Sequence, residues 1–155
     1  DIGCYTLAAL PPYESINSCV DMGASITMEK SAADAGLKPA VAVIGDSTFT
    51  HSGITGLLDA VNDKSNITVV ILDNATTGMT GGQNSSALGH IENICKGLGV
   101  EEEHIIVMNP IRSKTEENIE IIKKELEYDG VSVLIPRREC IQTIARKSKE
   151  KRAGK

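Results

Sequence analysis

The chain has 155 residues, 41% of them apolar and 24% charged, with a formal charge of −5. That length holds one domain with a two- or three-layer core; no apolar run approaches the roughly 18 to 20 residues that cross a bilayer, and no signal-like segment opens the chain. A cytoplasmic protein with no membrane partner is expected. Aromatic residues make up 3% and Trp is absent, so the core has to come from Ile, Val, Leu and Ala, a composition that suits a parallel sheet.

The first residues, Asp1-Ile2-Gly3-Cys4, are already motif-like and no methionine precedes them, so a piece of something longer is expected. Pro11-Pro12 breaks the N-terminal segment, and 20-VDMGASITMEKSAADAG-36 reads as a Gly-interrupted helix. From Ala40 onward short apolar runs alternate with helical patterns. The runs 40-AVAVIG-45, 67-ITVVILD-73, 105-IIVM-108 and 131-VSVLI-135 are β-branched and continuous, which predicts strands buried on both faces. Between them, helices are predicted over 52–63, 88–98 and 115–128. In the last, Ile119, Ile122 and Leu126 recur at helical spacing, and Ser113 with Glu116 has the form of a capping box. Strand alternating with helix predicts a doubly wound, mainly parallel α/β sheet whose ligands gather outside the carboxyl ends of its strands.

Residues 137–155 carry eight Lys or Arg against two Glu, a net +6 that leaves −11 on residues 1–136. The chain is therefore divided into a domain over 1–136 and a basic helix or tail over 137–155. Without aromatic or Gly-rich recognition elements, that tail reads as a solvated helix and not as a nucleic-acid contact. Cys4, Cys19, Cys95 and Cys140 are widely spaced, with no C-x-x-C, so local spacing builds neither a zinc site nor an iron–sulfur run, and buried reduced thiols are expected. The sequons at Asn66, Asn74 and Asn84 are read as coincidental, and the acidic run Glu101 to Glu103 before His104 as a solvated turn without chemistry.

The segment 43-VIGDSTFTHSGITGLLDAV-61 ends a strand on Gly45-Asp46-Ser47-Thr48 and starts a helix at once. Glycine allows the sharp turn, Asp46 offers a hard oxygen ligand, and the hydroxyls and amides of Ser47 and Thr48 stand at a helix N-terminus, a place for an anion and its metal. Asn74 lies 28 positions beyond Asp46, about one strand-to-strand unit, at the end of the next strand. Adjacent parallel strands bring the two side chains together. A carboxylate, an amide oxygen and a backbone carbonyl hold Mg²⁺ while leaving positions for water and phosphate oxygens, so the pair reads as a diphosphate–Mg²⁺ clamp. The long small-residue loop over 74–86 is then either mobile or wrapped around a ligand. Neither G-x-G-x-x-G nor G-x-x-x-x-G-K-[ST] occurs, which removes the main support for dinucleotide and P-loop readings.

Gly45-Asp46-Ser47 followed by Asn74 resembles the thiamine-diphosphate motif, normally written GDG with a later Asn. Together with His51-Ser52-Gly53-Ile54, Gly78-Met79-Thr80-Gly81-Gly82-Gln83 and the opening Asp1-Ile2-Gly3-Cys4, the chain resembles the pyrophosphate-binding domain of the 2-oxoacid:ferredoxin oxidoreductases, most closely the indolepyruvate ferredoxin oxidoreductase alpha subunits. The resemblance implies that Asp46, Asn74 and the Thr76 carbonyl bind Mg²⁺ and that Gly45, Ser47 and Thr48 hold the diphosphate. It further implies that Leu7, after Gly3 and Cys4, wedges between the cofactor rings, that Cys4 lies near the thiazolium, and that Gly78, Met79 and Thr80 close over the diphosphate. His51 faces either the reacting centre or nearby backbone. Ser47 replaces the usual second glycine. By the same resemblance, the whole enzyme decarboxylates arylpyruvates oxidatively to acyl-coenzyme A, with ferredoxin as acceptor. Iron–sulfur clusters, further domains and a beta subunit lie outside this chain, which is expected to be inactive alone.

Two other readings compete. G-D-S also opens the GDSL esterases, with Ser47 as nucleophile and His104 as base, although the position of the block in the chain argues against it. A non-catalytic docking module would show no metal-dependent response to ligand.

Overall fold

The computed structural model describes residues 1–78 and 82–153. Four strands, β1 (Val41–Gly45), β2 (Ile67–Leu72), β5 (Ile105–Met108) and β6 (Val131–Pro136), form one parallel sheet in the order β1-β2-β6-β5. Two two-residue strands, β3 (Thr76–Thr77) and β4 (Gln83–Asn84), make a small antiparallel hairpin beyond the end of β2. The helices are α1 (Ser25–Asp34), α2 (Asp46–Thr48), α3 (Ile54–Asn62), α4 (Ile91–Gly97), α5 (Thr115–Glu127) and α6 (Ile141–Ala153). This is the doubly wound α/β arrangement that the alternation of patterns predicts.

Continuous apolar runs give strands buried on both faces only at the centre of the sheet. The first five residues of β6 are all buried, and β2 is nearly so, whereas Val41 on β1 and Val107 on β5 are exposed. The reason is position: β1 and β5 are edge strands, with a neighbour on one side only. The core gathers Ile26, Ile44, Phe49, Leu57, Ile71 and Val133, all fully buried. Burying each such side chain contributes about 1.5–3 kcal/mol.

Helical structure begins earlier than the predicted residue 52: it starts at Asp46 as α2 and runs through a wider π turn, Phe49–Gly53, into α3. The turn drops Phe49, the one phenylalanine of the chain, into the core and leaves His51 exposed. The predicted Ser113–Glu116 capping box does not form. Lys114 is the N-cap residue of α5 without a side-chain cap, and the Thr115 hydroxyl donates back to the Arg112 carbonyl at 2.9 Å. Nor does α5 bury its isoleucines: Ile119 and Ile122 are exposed, and the buried residue of that helix is Glu125.

The N-terminal segment is tied both to the sheet and to the start of α1. The main-chain nitrogen of Asp1 donates to the Val43 carbonyl at 3.0 Å. Its buried carboxylate accepts from the Gly23 amide at 2.7 Å and from the Ser25 hydroxyl at 3.2 Å, where α1 begins. Cys4 and Cys19 sit on this segment and are exposed, so the expectation of buried thiols holds for Cys95 and not for them; all four cysteines are unpaired. Among the described residues no helix is long and apolar enough to cross a membrane.

Candidate cofactor site

Parallel pairing fixes the level at which the chain leaves the sheet. Gly45 lies beside Leu72, so Asp46 emerges from β1 level with Asp73, and Asn74 one residue further along the neighbouring strand. The backbone then turns back sharply: Ala75 takes φ +61°, a left-handed conformation uncommon without glycine. In this turn the Asn74 amide oxygen accepts the Thr76 N–H at 3.0 Å, which fixes its rotamer while a second lone pair remains available.

Asp46 is buried, with 3% of its surface exposed. Its Oδ1 accepts the Ser47 N–H at 2.7 Å, whereas among the described residues Oδ2 has no hydrogen-bond partner. Burial pushes the carboxyl pKa up; the Asp73 carboxylate beside it adds to the shift, and the Ser47 amide, the Ser85 hydroxyl and the Ala75 amide oppose it without supplying Oδ2 with a bond. A buried anionic oxygen left without a partner costs about 1–3 kcal/mol, and a cation removes that cost. The residues present therefore fit a divalent metal: a hard oxygen short of a partner, an oriented amide oxygen and a turn of backbone carbonyls.

The surrounding hydroxyls are organised around the same turn. Thr77 donates to the Ser47 hydroxyl at 3.1 Å, and the Thr50 and Ser86 hydroxyls are 2.9 Å apart, so the hairpin loop is stitched to the start of the helix. Thr48 is buried. A Cβ placed on Gly78 would lie 3.8 Å from Cys4 Sγ, which brings the Gly3-Cys4 turn to the loop after Thr77. Leu7 is 70% exposed, an apolar side chain standing free beside that turn. Met79 and Thr80 lie outside the described residues.

Two groups escaped the sequence reading. The Tyr5 hydroxyl accepts the Gly45 N–H at 3.1 Å, next to the Asp46 turn; its place directly after Cys4 was the available signal. Asp73 is buried and bonded by Arg137 Nε at 2.5 Å, and the same guanidinium makes a bidentate pair with Glu92 at 2.8 and 2.7 Å. That pair holds the Glu92 carboxyl below its usual range. Arg137 is the first residue past β6, at the strand ends where ligands collect.

The esterase arrangement is absent. His104 precedes β5, at the amino end of the sheet, while Ser47 follows β1 at the carboxyl end. His104 is buried, unlike the solvated Glu101 to Glu103 before it; Nδ1 lies 2.7 Å from Glu125 Oε2, and the ring stacks on Tyr128 with centroids 3.5 Å apart.

Residues 1–135 match the thiamine pyrophosphate enzyme C-terminal TPP-binding domain. The chain belongs to this family. It is 36% identical to indolepyruvate oxidoreductase subunit IorA of Pyrococcus abyssi, over all of this chain and 27% of that protein. It is 38% identical to the IorA subunit of Archaeoglobus fulgidus, over 90% of this chain and 24% of that protein. The chain thus spans about a quarter of the length of these curated relatives. Among solved structures, a thiamine diphosphate-dependent 4-hydroxybenzoylformate decarboxylase of Rhodococcus jostii RHA1 superposes with a TM-score of 0.55 at 20% identity, over 76% of this chain and 23% of that one. A benzoylformate decarboxylase of Polynucleobacter necessarius gives 0.53 at 16% identity, over 77% and 23%. At these identities the two structures speak to the fold, which is that of thiamine diphosphate enzymes.

Proposed function

We propose that this TPP-binding domain holds thiamine diphosphate through Mg²⁺ for an oxidoreductase of the indolepyruvate type. The observation that carries the reading is the buried, unpartnered Oδ2 of Asp46, one strand position from Asn74 at the carboxyl ends of β1 and β2. Asp46, the Asn74 amide oxygen and the Thr76 carbonyl are the metal ligands of this proposal. Gly45, Ser47 and Thr48 hold the diphosphate at the start of the helical run, with Gly78, Met79 and Thr80 closing over it. Leu7 takes the wedge position between the cofactor rings, with Gly3 and Cys4 beside the thiazolium, and His51 is the one candidate among them for the reacting centre.

When bound, the cofactor supplies the capacity to labilise the carboxyl group of a 2-oxo acid. This chain's residues bind and orient it, a contribution of placement. The names of the relatives support an arylpyruvate such as indolepyruvate as substrate. In the whole enzyme, acyl-coenzyme A is the product, ferredoxin the acceptor, and the iron–sulfur clusters and a second subunit lie outside this chain, which on its own is inactive. The basic helix α6, within 137–155, is a region distinct from the cofactor domain, in accord with a family match that ends at residue 135.

Thermal and denaturant unfolding with thiamine diphosphate, with and without Mg²⁺, test the clamp. At about 100 times its dissociation constant the cofactor stabilises the fold by about 2.7 kcal/mol. The expected result is a Mg²⁺-dependent gain that vanishes in Asp46→Ala. A complete subunit that shows no gain at millimolar cofactor overturns the reading, and a non-catalytic module then becomes the better one.

A further inference from the structure

The aromatic ring of Tyr5 spans the distance between the two motifs of the site. At one end it lies against Gly3, where an added Cβ would stand 2.4 Å from Tyr5 Cε1. At the other, its hydroxyl accepts the Gly45 N–H at 3.1 Å, one residue before Asp46 and two before Ser47. A phenol oxygen that accepts one hydrogen bond still carries its own hydrogen. Among the described residues nothing accepts the Tyr5 O–H, although the ring is half-buried and its hydroxyl stands beside the turn that ends β1.

We propose that Tyr5 is a cofactor-binding residue: the Gly45 amide fixes its hydroxyl oxygen, and its O–H donates to an oxygen of the diphosphate. The inference rests on the proposed thiamine diphosphate function and adds to it a donor from the Gly3-Cys4 segment, so that the cofactor's charged end is gripped from both motifs. Burial pushes the phenol pKa up to about 12, which keeps the hydroxyl protonated, and therefore a donor, throughout the neutral range. Gly3 has a steric reason in this arrangement, because it leaves room for the ring, whereas a Cβ on Gly45 would only reach ordinary contact with it, 3.5 Å from Tyr5 Cε1. Gly3 has φ −176°, an extended conformation open to any residue, so Gly3→Ala displaces the tyrosine ring without straining the backbone.

The test is titration calorimetry on the complete subunit with Mg²⁺, using thiamine diphosphate and, separately, inorganic pyrophosphate. Tyr5→Phe keeps the ring and removes one hydrogen bond to a charged group, so the dissociation constant is expected to rise about tenfold or more for both ligands. Gly3→Ala is expected to weaken binding as well, and the double variant Gly3→Ala/Tyr5→Phe to be no weaker than the poorer single one, since both act on one contact. An unchanged dissociation constant in Tyr5→Phe overturns the inference. So does a loss seen with thiamine diphosphate and absent with pyrophosphate, because the contact then lies elsewhere on the cofactor. A parent subunit that binds neither ligand brings down the proposed function itself, and this inference with it.

Discussion

Of the buried carboxylates, two stand at opposite ends of the sheet: Asp46, 3% exposed, where β1 ends, and Glu125, 1% exposed, near the amino ends of β5 and β6. Among the described residues, each has one oxygen without a hydrogen bond. Their surroundings differ in sign. Glu125 has His104 at 2.7 Å, stacked in turn on Tyr128, and Lys124 Nζ 3.7 Å from its second oxygen. Asp46 has another acid, Asp73, as its charged neighbour, and the cation near that acid is already committed to Asp73 and Glu92. The chain completes the lower carboxylate with its own side chains and leaves the upper one short of positive charge. A buried acid becomes evidence for a ligand only when its own fold supplies it with no cation.

The largest expected effect falls on the lower end. His104→Ala removes one partner of a buried pair and should destabilise the fold by about 3–5 kcal/mol in urea unfolding, while the dissociation constant for thiamine diphosphate and Mg²⁺ stays unchanged in the protein that remains folded. Loss of cofactor affinity in folded protein would mean that the two ends are coupled. The second effect is its mirror image. Asp46→Ala should erase the Mg²⁺-dependent stabilisation of about 2.7 kcal/mol at 100-fold excess over the dissociation constant, with a smaller change in the ligand-free protein. A variant that still gains stability from Mg²⁺ and cofactor would move the metal away from Asp46.

Much of this was legible because it is written locally. The four strands announce themselves as continuous β-branched runs, and Asp46 and Asn74 are one strand-to-strand unit apart, so parallel neighbours had to carry them to the same end. What stayed hidden depends on partners far apart in sequence. Nothing near Arg137 says that it will bridge Asp73 and Glu92, and nothing near His104 points to Glu125 on α5. The apolar spacing of Ile119 and Ile122 promised a buried stripe, yet periodicity states which residues share a face and not whether anything covers it. At the start of α5, Ser113 lost the cap to geometry: it sits inside a 3₁₀ turn, Arg112–Lys114, one residue too early to cap α5.

The smallest effect concerns the cation shared above the sheet. Glu92 is held below the ordinary carboxylate range, first by its hydrogen bonds with Arg137. A group with a depressed folded pKa adds stability above its unfolded pKa, about 4.3 for glutamate, and that contribution is lost as pH falls through the lower folded value. Glu92→Gln should therefore be less stable than the parent at pH 7, by no more than about 1 kcal/mol because the pair is partly exposed and screened. The gap should close on acidification below about pH 4 in urea unfolding, and shrink in high salt at neutral pH. A gap that persists in acid would assign the Glu92 contribution to packing, and Arg137 would then be holding Asp73, and with it the turn that carries Asn74, without help from α4.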